Sequence, residues 1–391
     1  VDLEEWMSAE PQEFSIESKG LEASGSASLR ADEQGARVIN LRHLAIGKTD
    51  VNGSILIKPH FSEGTKHKGE YAYEVLVRGD RLDAKPIIEF IKKTKDKSKL
   101  GDKGKGGRGQ DIKIPPIKID AKVGQLLIGD DEEKIENISG VMTHGGKVWE
   151  SVVTYGEISG KPIVLRLTPK EGDDEGGGTR RELILNSEDA GSTLRALDLY
   201  RSMKGGKLKL KADISDGLTE GKLVIKDCVI LDAPILTKMF TLASFTGLAN
   251  LIAGEGIRFD KLKARFNKSH DQIEIDGATA WGSNIGITVE RGYVDLEGDS
   301  MEFEGLLIPA YTLNKFLNKI PLIGKLITGG KGSGILAANY TVRGPVRDPE
   351  ISVNPLSVLT PGILRIFVNA LKEAVPEAGE PVDEEKTTTQ P

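Results

Sequence analysis

Short runs in which apolar and polar residues alternate fill most of this chain, and a period of two predicts strands with one apolar face. From Gly205 onward the alternation is strict. Leu208, Leu210, Ala212 and Ile214 fall on one side, and Lys207, Lys209, Lys211 and Asp213 on the other. The pattern continues at Leu223 and Ile225, Ile273 and Ile275, Ile285, Ile287 and Val289, Val294 and Leu296, and Met301 and Phe303. The turns between these runs are rich in glycine and too short for parallel crossovers, which predicts an antiparallel meander.

Upstream, Phe14–Ile16, Val38–Leu41, Ser54–Ile57 and Tyr71–Val77 read as strands, with turns at Gly20, Gly25, Asn52-Gly53 and Gly79-Asp80. Alternation returns from Ile112 to Val123, where Pro115-Pro116 must interrupt the pairing. Val148–Tyr155, Ile163–Leu167 and Glu182–Leu185 complete this set.

Five segments read as helices. Residues 83–91 and 192–203 are short, the second closed by Gly205-Gly206. Residues 233–252 are apolar nearly all round, with Lys238 the only charge and a narrow polar stripe of Thr237, Thr241 and Ser244. Such a helix is either a core element covering a sheet face or one that touches lipid. Its proline, glycine and polar stripe argue against a membrane span. Residues 311–326 carry Leu313, Phe316, Leu317 and Ile320 at helical spacing, and 357–372 form the last helix. These features divide the chain into a repetitive β region over 1–204, a strand-and-helix region over 205–375 and an acidic, disordered tail over 376–391.

Composition narrows the class. Only 38% of residues are hydrophobic and 5% aromatic, with 46 glycines, which suits a thin, turn-rich β protein better than a multilayer enzyme. A net charge of −6 argues against general nucleic-acid binding. The single Cys228 excludes an intrachain disulfide and a cysteine-rich zinc site. Residues 92–110 are basic and glycine-rich without apolar periodicity, and are expected to form a mobile surface loop with at most a weak attraction for anionic headgroups. The chain begins at Val1 with no visible signal peptide, and no apolar run reaches the roughly 20 residues of a membrane span.

Residues with catalytic potential do not assemble into a pattern. His43, His60, His67, His144 and His270 are scattered, none beside a second ligand at metal spacing. Neither the glycine-rich segment at 101–109 nor Gly329–Gly334 has the strand, helix and Gly-Lys-Ser/Thr order of a phosphate loop. Asp130–Glu133 and Asp173–Glu175 are runs of acids expected in solvated loops. No catalytic residue, metal site or cofactor is predicted, and the chain is expected not to be an enzyme.

The most specific stretch is 308–365. Its motifs run in order: Pro309-Ala-Tyr-Thr-Leu-Asn314, Ile320-Pro-Leu-Ile-Gly324, Gly329-Gly-Lys-Gly-Ser-Gly334, Tyr340-Thr-Val-Arg-Gly-Pro345, Asp348-Pro349, Val353-Asn-Pro-Leu-Ser357 and Pro361-Gly362. This series resembles the C-terminal region of the AsmA-like superfamily, in particular its large YhdP-type envelope proteins of Gram-negative bacteria. It extends more weakly to about Gly205 through Asp232-Ala-Pro234, Ala243–Gly247 and Gly254–Phe259. The resemblance implies a fragment of a periplasmic, membrane-associated protein anchored in the inner membrane by a segment missing here.

A sheet with one apolar face must cover that face with a second sheet, by closing into a barrel, or by curling around something else. Period alone fits a dry sandwich and an open trough equally; the resemblance favours the trough. The expected fold class is therefore mainly β, a long curled antiparallel sheet forming an open β-groove, with a few amphipathic helices near the C-terminal end. The implied function is non-enzymatic: a bridge segment sheltering phospholipid acyl chains between inner and outer membranes, with envelope proteins as possible partners. The competing expectation is an assembly scaffold for outer-membrane biogenesis that carries no lipid. The groove is assigned to Leu208, Leu210, Ile214, Leu223, Ile225, Ile273, Ile275, Ile287, Val289, Val294, Leu296, Met301 and Phe303. Lipid- or membrane-contacting helix positions are Leu236, Met239, Phe240, Phe245, Leu248, Leu313, Phe316, Leu317 and Ile320.

Overall fold

A computed structural model describes residues 12–18, 21–31, 37–46, 48–58, 72–86, 115–129, 133–146, 148–170, 180–215, 217–243, 255–269, 271–283, 285–309 and 336–358. The chain is mainly β, an open sheet not closed into a barrel, with two helices among the described residues. It divides into an N-terminal unit, 1–229 with 268–270, and a C-terminal unit, 230–267 with 271–391.

Among the described residues the N-terminal unit has twelve strands in sequence: β1 (Gln12–Ser18), β2 (Leu21–Ala31), β3 (Arg37–Ile46), β4 (Asp50–Ile57), β5 (Tyr73–Asp83), β6 (Ile117–Leu127), β7 (Ile135–His144), β8 (Trp149–Ile158), β9 (Lys161–Pro169), β10 (Arg181–Ser187), β11 (Met203–Ser215) and β12 (Leu218–Ile230, but for its last residue). From β1 to β11 each strand pairs with the next, antiparallel in every case but one. The exception is β5–β6, which is parallel, with Tyr73 opposite Ile117 and Val77 opposite Ala121. Residues 84–116 separate those strands, enough chain for the crossover that a parallel pair needs.

Helix α1 (Ala190–Ala196) packs on β11. It starts because Asp189 caps it, accepting a bond from Ser192 N, while Thr193 Oγ1 donates to Asp189 O. Arg195 ties it down through Glu133 Oε1 at 2.6 Å and Met203 O at 2.7 Å. The predicted helix over 192–203 is thus shorter and earlier. Asp198 turns left-handed at φ 54°, and Leu199 N and Tyr200 N both fold back to Leu194 O. Gly205 and Gly206 lie inside β11 instead of closing the helix.

The C-terminal unit contains α2 (Pro234–Leu242), β13 (Ile257–Ser269, but for its last two residues), β14 (Gln272–Trp281), β15 (Ile285–Asp295), β16 (Ser300–Pro309), β17 (Leu336–Gly344) and β18 (Glu350–Val358). From β14 to β18 consecutive strands pair antiparallel. Proline near its first turn starts α2, which packs against β18 and buries Met239 and Phe240.

Other expectations meet the structure unevenly. The turns read at Gly25, Asn52-Gly53 and Gly79-Asp80 fall inside β2, β4 and β5, and the strands β2, β7 and β13 were not predicted. Asp83, placed at a helix start, ends β5; Lys85 and Pro86 are helical, and 87–91 lie outside the described residues. Ser357 and Val358, placed in the last helix, end β18. The basic segment 92–110, the rest of the helix expected beyond 243, the helix at 311–326, the remainder of 357–372 and the tail lie outside the described residues.

Candidate functional site

Strand register turns the separate alternations into one surface. In the N-terminal unit, direct partners line up as Leu29, Ile39, Ile55, Val75, Ile119, Met142, Val152, Leu167, Leu183 and Ala212, one from each strand from β2 to β11. Every member is apolar. The next row on the same face is Ala27, Leu41, Gly53, Val77, Ala121, Gly140, Thr154, Leu165, Leu185 and Leu210, apolar except for Thr154. At 4.7–4.9 Å per strand step, the rows run for about 40 Å.

The depth of cover changes across this face. Towards one end of the strands Val51, Val123, Ile138, Ile158, Ile163 and Leu208 are buried. In the middle row Ile39, Ile55, Val75, Ile119, Met142, Val152 and Leu183 are only half-buried. A packed second layer would have enclosed them, as interiors close to crystal density leave such side chains no solvent contact. The opposite face is charged and ion-paired, with Arg78–Asp120 at 2.9 Å and Lys211–Glu182 at 2.7 Å. The Glu182 bond raises the Lys211 pKa and keeps the ammonium charged.

The C-terminal unit repeats the design. Ile273, Val294 and Met301 are consecutive partners, as are Ile275, Gly292, Phe303, Val342 and Ile351. Ala280, Ile287, Leu307 and Ala338 form a further row. The Phe303 ring lies over Gly292, in space a side chain there would need. Strict alternation along β15 would put Ile287 and Val289 on the face opposite Val294. A register shift between Val289 and Arg291 inserts Glu290 and brings all three together. Burial raises the Glu290 pKa, with Glu304 adding to it. Tyr340 reaches across Gly305, its Oη donating to Thr288 O at 2.8 Å. Burial pushes its phenol well above the usual range.

The predicted groove residues therefore separate into groups. Leu208, Ile225 and Ile287 are buried; Leu210, Ile214, Leu223, Ile273, Ile275, Val289, Val294, Met301 and Phe303 are half-buried strand residues. Leu296 is a correction: it follows the end of β15 in a turn, 56% exposed, with its N–H bonded to Asp271 O. Of the helix positions, Leu236 is half-buried and Met239 and Phe240 are enclosed by protein. Phe245, Leu248, Leu313, Phe316, Leu317 and Ile320 lie outside the described residues. The rows of β2–β10 were missed as a site. Most of these strands showed their period, β2 and β7 did not, and only register joins them.

Among the described residues no group of three or more His, Cys, Asp or Glu could hold a metal ion, and no helix is long and apolar enough to cross a membrane. His144 is buried, its ring edge-on to Trp149 at 5.2 Å, and its Nδ1 accepts from Gly146 N. Burial lowers its pKa and favours the neutral ring. No family model, no curated protein and no solved structure matches this chain.

Proposed function

We propose that this chain is a non-enzymatic lipid-binding segment that shelters phospholipid acyl chains against the apolar face of its sheet. The observation that carries this reading is the unbroken apolar row from Leu29 to Ala212, half-buried through its middle. A face this long and incompletely covered is disfavoured in water, and an acyl chain lying on it gains about 0.8 kcal/mol per CH₂ desolvated. Ion pairs on the other face keep that side wetted. With the resemblance of 308–365 to AsmA-like proteins, this supports a place in a periplasmic bridge moving phospholipid between inner and outer membranes.

Native mass spectrometry of the purified chain, with extraction and identification of bound lipid, tests the reading. Wild type should carry phospholipid, and Ile119→Asp or Phe303→Asp should lose it while circular dichroism keeps its β signal. A wild type that stays lipid-free after incubation with liposomes would replace the conduit with a scaffold. Global unfolding of both variants would mean a dry, packed core.

A further inference from the structure

The cover over the N-terminal face changes along the strands, and in the same sense on neighbouring ones. On β8, Val152 and Thr154 are half-buried, whereas Ile158 is fully enclosed. On β7, Met142 is half-buried and Ile138 buried; on β11, Leu210 is half-buried and Leu208 buried. The enclosed members all lie towards the strand ends that α1 spans.

Side-chain bonds place α1 on the apolar face. Ser187 follows Leu183 and Leu185 in steps of two, so it projects from that face, and its hydroxyl lies 2.7 Å from Thr193 Oγ1. Ser192 Oγ meets Ser159 Oγ of the β8–β9 turn at 2.9 Å. Arg195 reaches Glu133 just ahead of β7 and Met203 at the start of β11. Lys161 holds the capping Asp189 at 3.2 Å. Ala190, Gly191, Ser192, Thr193 and Ala196 are buried, and an added Cβ on Gly191 would collide with the Met203 carbonyl. The helix is thus a wall fixed at several strand ends, with enclosed apolar residues beneath it.

We propose that α1 is the stop for an acyl chain lying along the strands, with the terminal methyl against the helix, so that it limits the length of chain this face takes. This rests on the lipid-binding reading above and adds to it the direction of the chain and a length limit. Carbons in excess of the limit find no apolar surface and stay in water, which forfeits the gain from desolvating them. On β9 the last half-buried residue before the wall is Leu165; Ile163, two residues nearer, is buried and pairs with Ser187. Shortening Leu165 makes room where the chain ends.

The test offers the delipidated full chain vesicles of a phosphatidylcholine series, from dimyristoleoyl to dierucoyl, and reads bound lipid by native mass spectrometry. Wild type should show a length limit, past which capture falls about fourfold for each CH₂ added to a chain. Leu165→Ala should move that limit to longer chains by about two carbons. Leu76→Ala, on the charged face opposite Asp120, should leave it where it was. Capture that stays level or rises across the whole series overturns the stop while lipid binding stands, as does a limit that Leu165→Ala does not move. No capture at any length overturns the stop and the lipid-binding reading together. Should Leu165→Ala misfold, Leu165→Val decides: a limit equal to that of wild type overturns the stop.

Discussion

The middle of the N-terminal face and the strand ends of the C-terminal unit are made from the same kinds of residue, yet they bury them differently. In β16, Leu306, Leu307 and Ile308 are consecutive and all fully enclosed, so both faces of the sheet are covered there. Ile257, Phe259, Ile285 and the helix residue Phe240 are enclosed as well. Across β3–β8 the middle row alternates and is half-buried. One region is a core that holds the fold together. The other is an apolar surface whose cover is incomplete, and it is the better place to receive a ligand.

Truncation should separate the two most strongly. Leu307→Ala leaves a cavity in an enclosed site and should cost about 2–5 kcal/mol in denaturant unfolding, whereas Ile119→Ala should cost only about 1 kcal/mol. Equal losses would mean the N-terminal face is packed dry and would remove the contrast.

Tyr340→Phe should have a smaller effect, about 1–2 kcal/mol, because it strands one buried acceptor. Leu306 N bonds Thr288 Oγ1 at 3.1 Å, and Thr288 O accepts from the phenol at 2.8 Å. The folded state raises the phenol pKa, so its contribution is complete below the ordinary value of 10.0 and falls as pH rises above it. Wild type and Tyr340→Phe should therefore converge in alkaline unfolding curves.

Glu290→Gln should show the smallest effect and the opposite sign. The raised carboxyl pKa means that folding favours the protonated form, so wild type loses stability as pH climbs past 4.5. Glutamine should be modestly more stable at neutral pH, with the advantage gone in acid. An advantage independent of pH would point to a change at the bulge other than charge.

Much of the fold was legible because its signal is local. Lysines between Leu208, Leu210 and Ala212 mark two faces wherever the strand sits. Pro115-Pro116 marked the break before β6, since proline cannot donate to a ladder. The helix over 192–203 was misjudged at both ends because Asp189 caps early and Asp198 leaves the helical region, choices stabilised by Ser192, Thr193 and Glu133 acting together. Gly25 was read as a turn because glycine permits one, while β2 uses it in a strand interior. The candidate groove was only partly legible: Leu296 keeps the alternation of Val294 but lies past the last paired residue.

The sequence by itself determined that the chain makes strands with one apolar and one charged face, because that pattern is carried by neighbours two residues apart. Only the tertiary structure decided that these faces join. Pairing chose the parallel β5–β6 match, inserted Glu290 so that Val289 and Val294 share a side, and aligned Leu29 through Ala212 into one row. Register depends on hydrogen bonds between residues distant in the chain, and a one-residue slip would have turned each strand's apolar side to the other face.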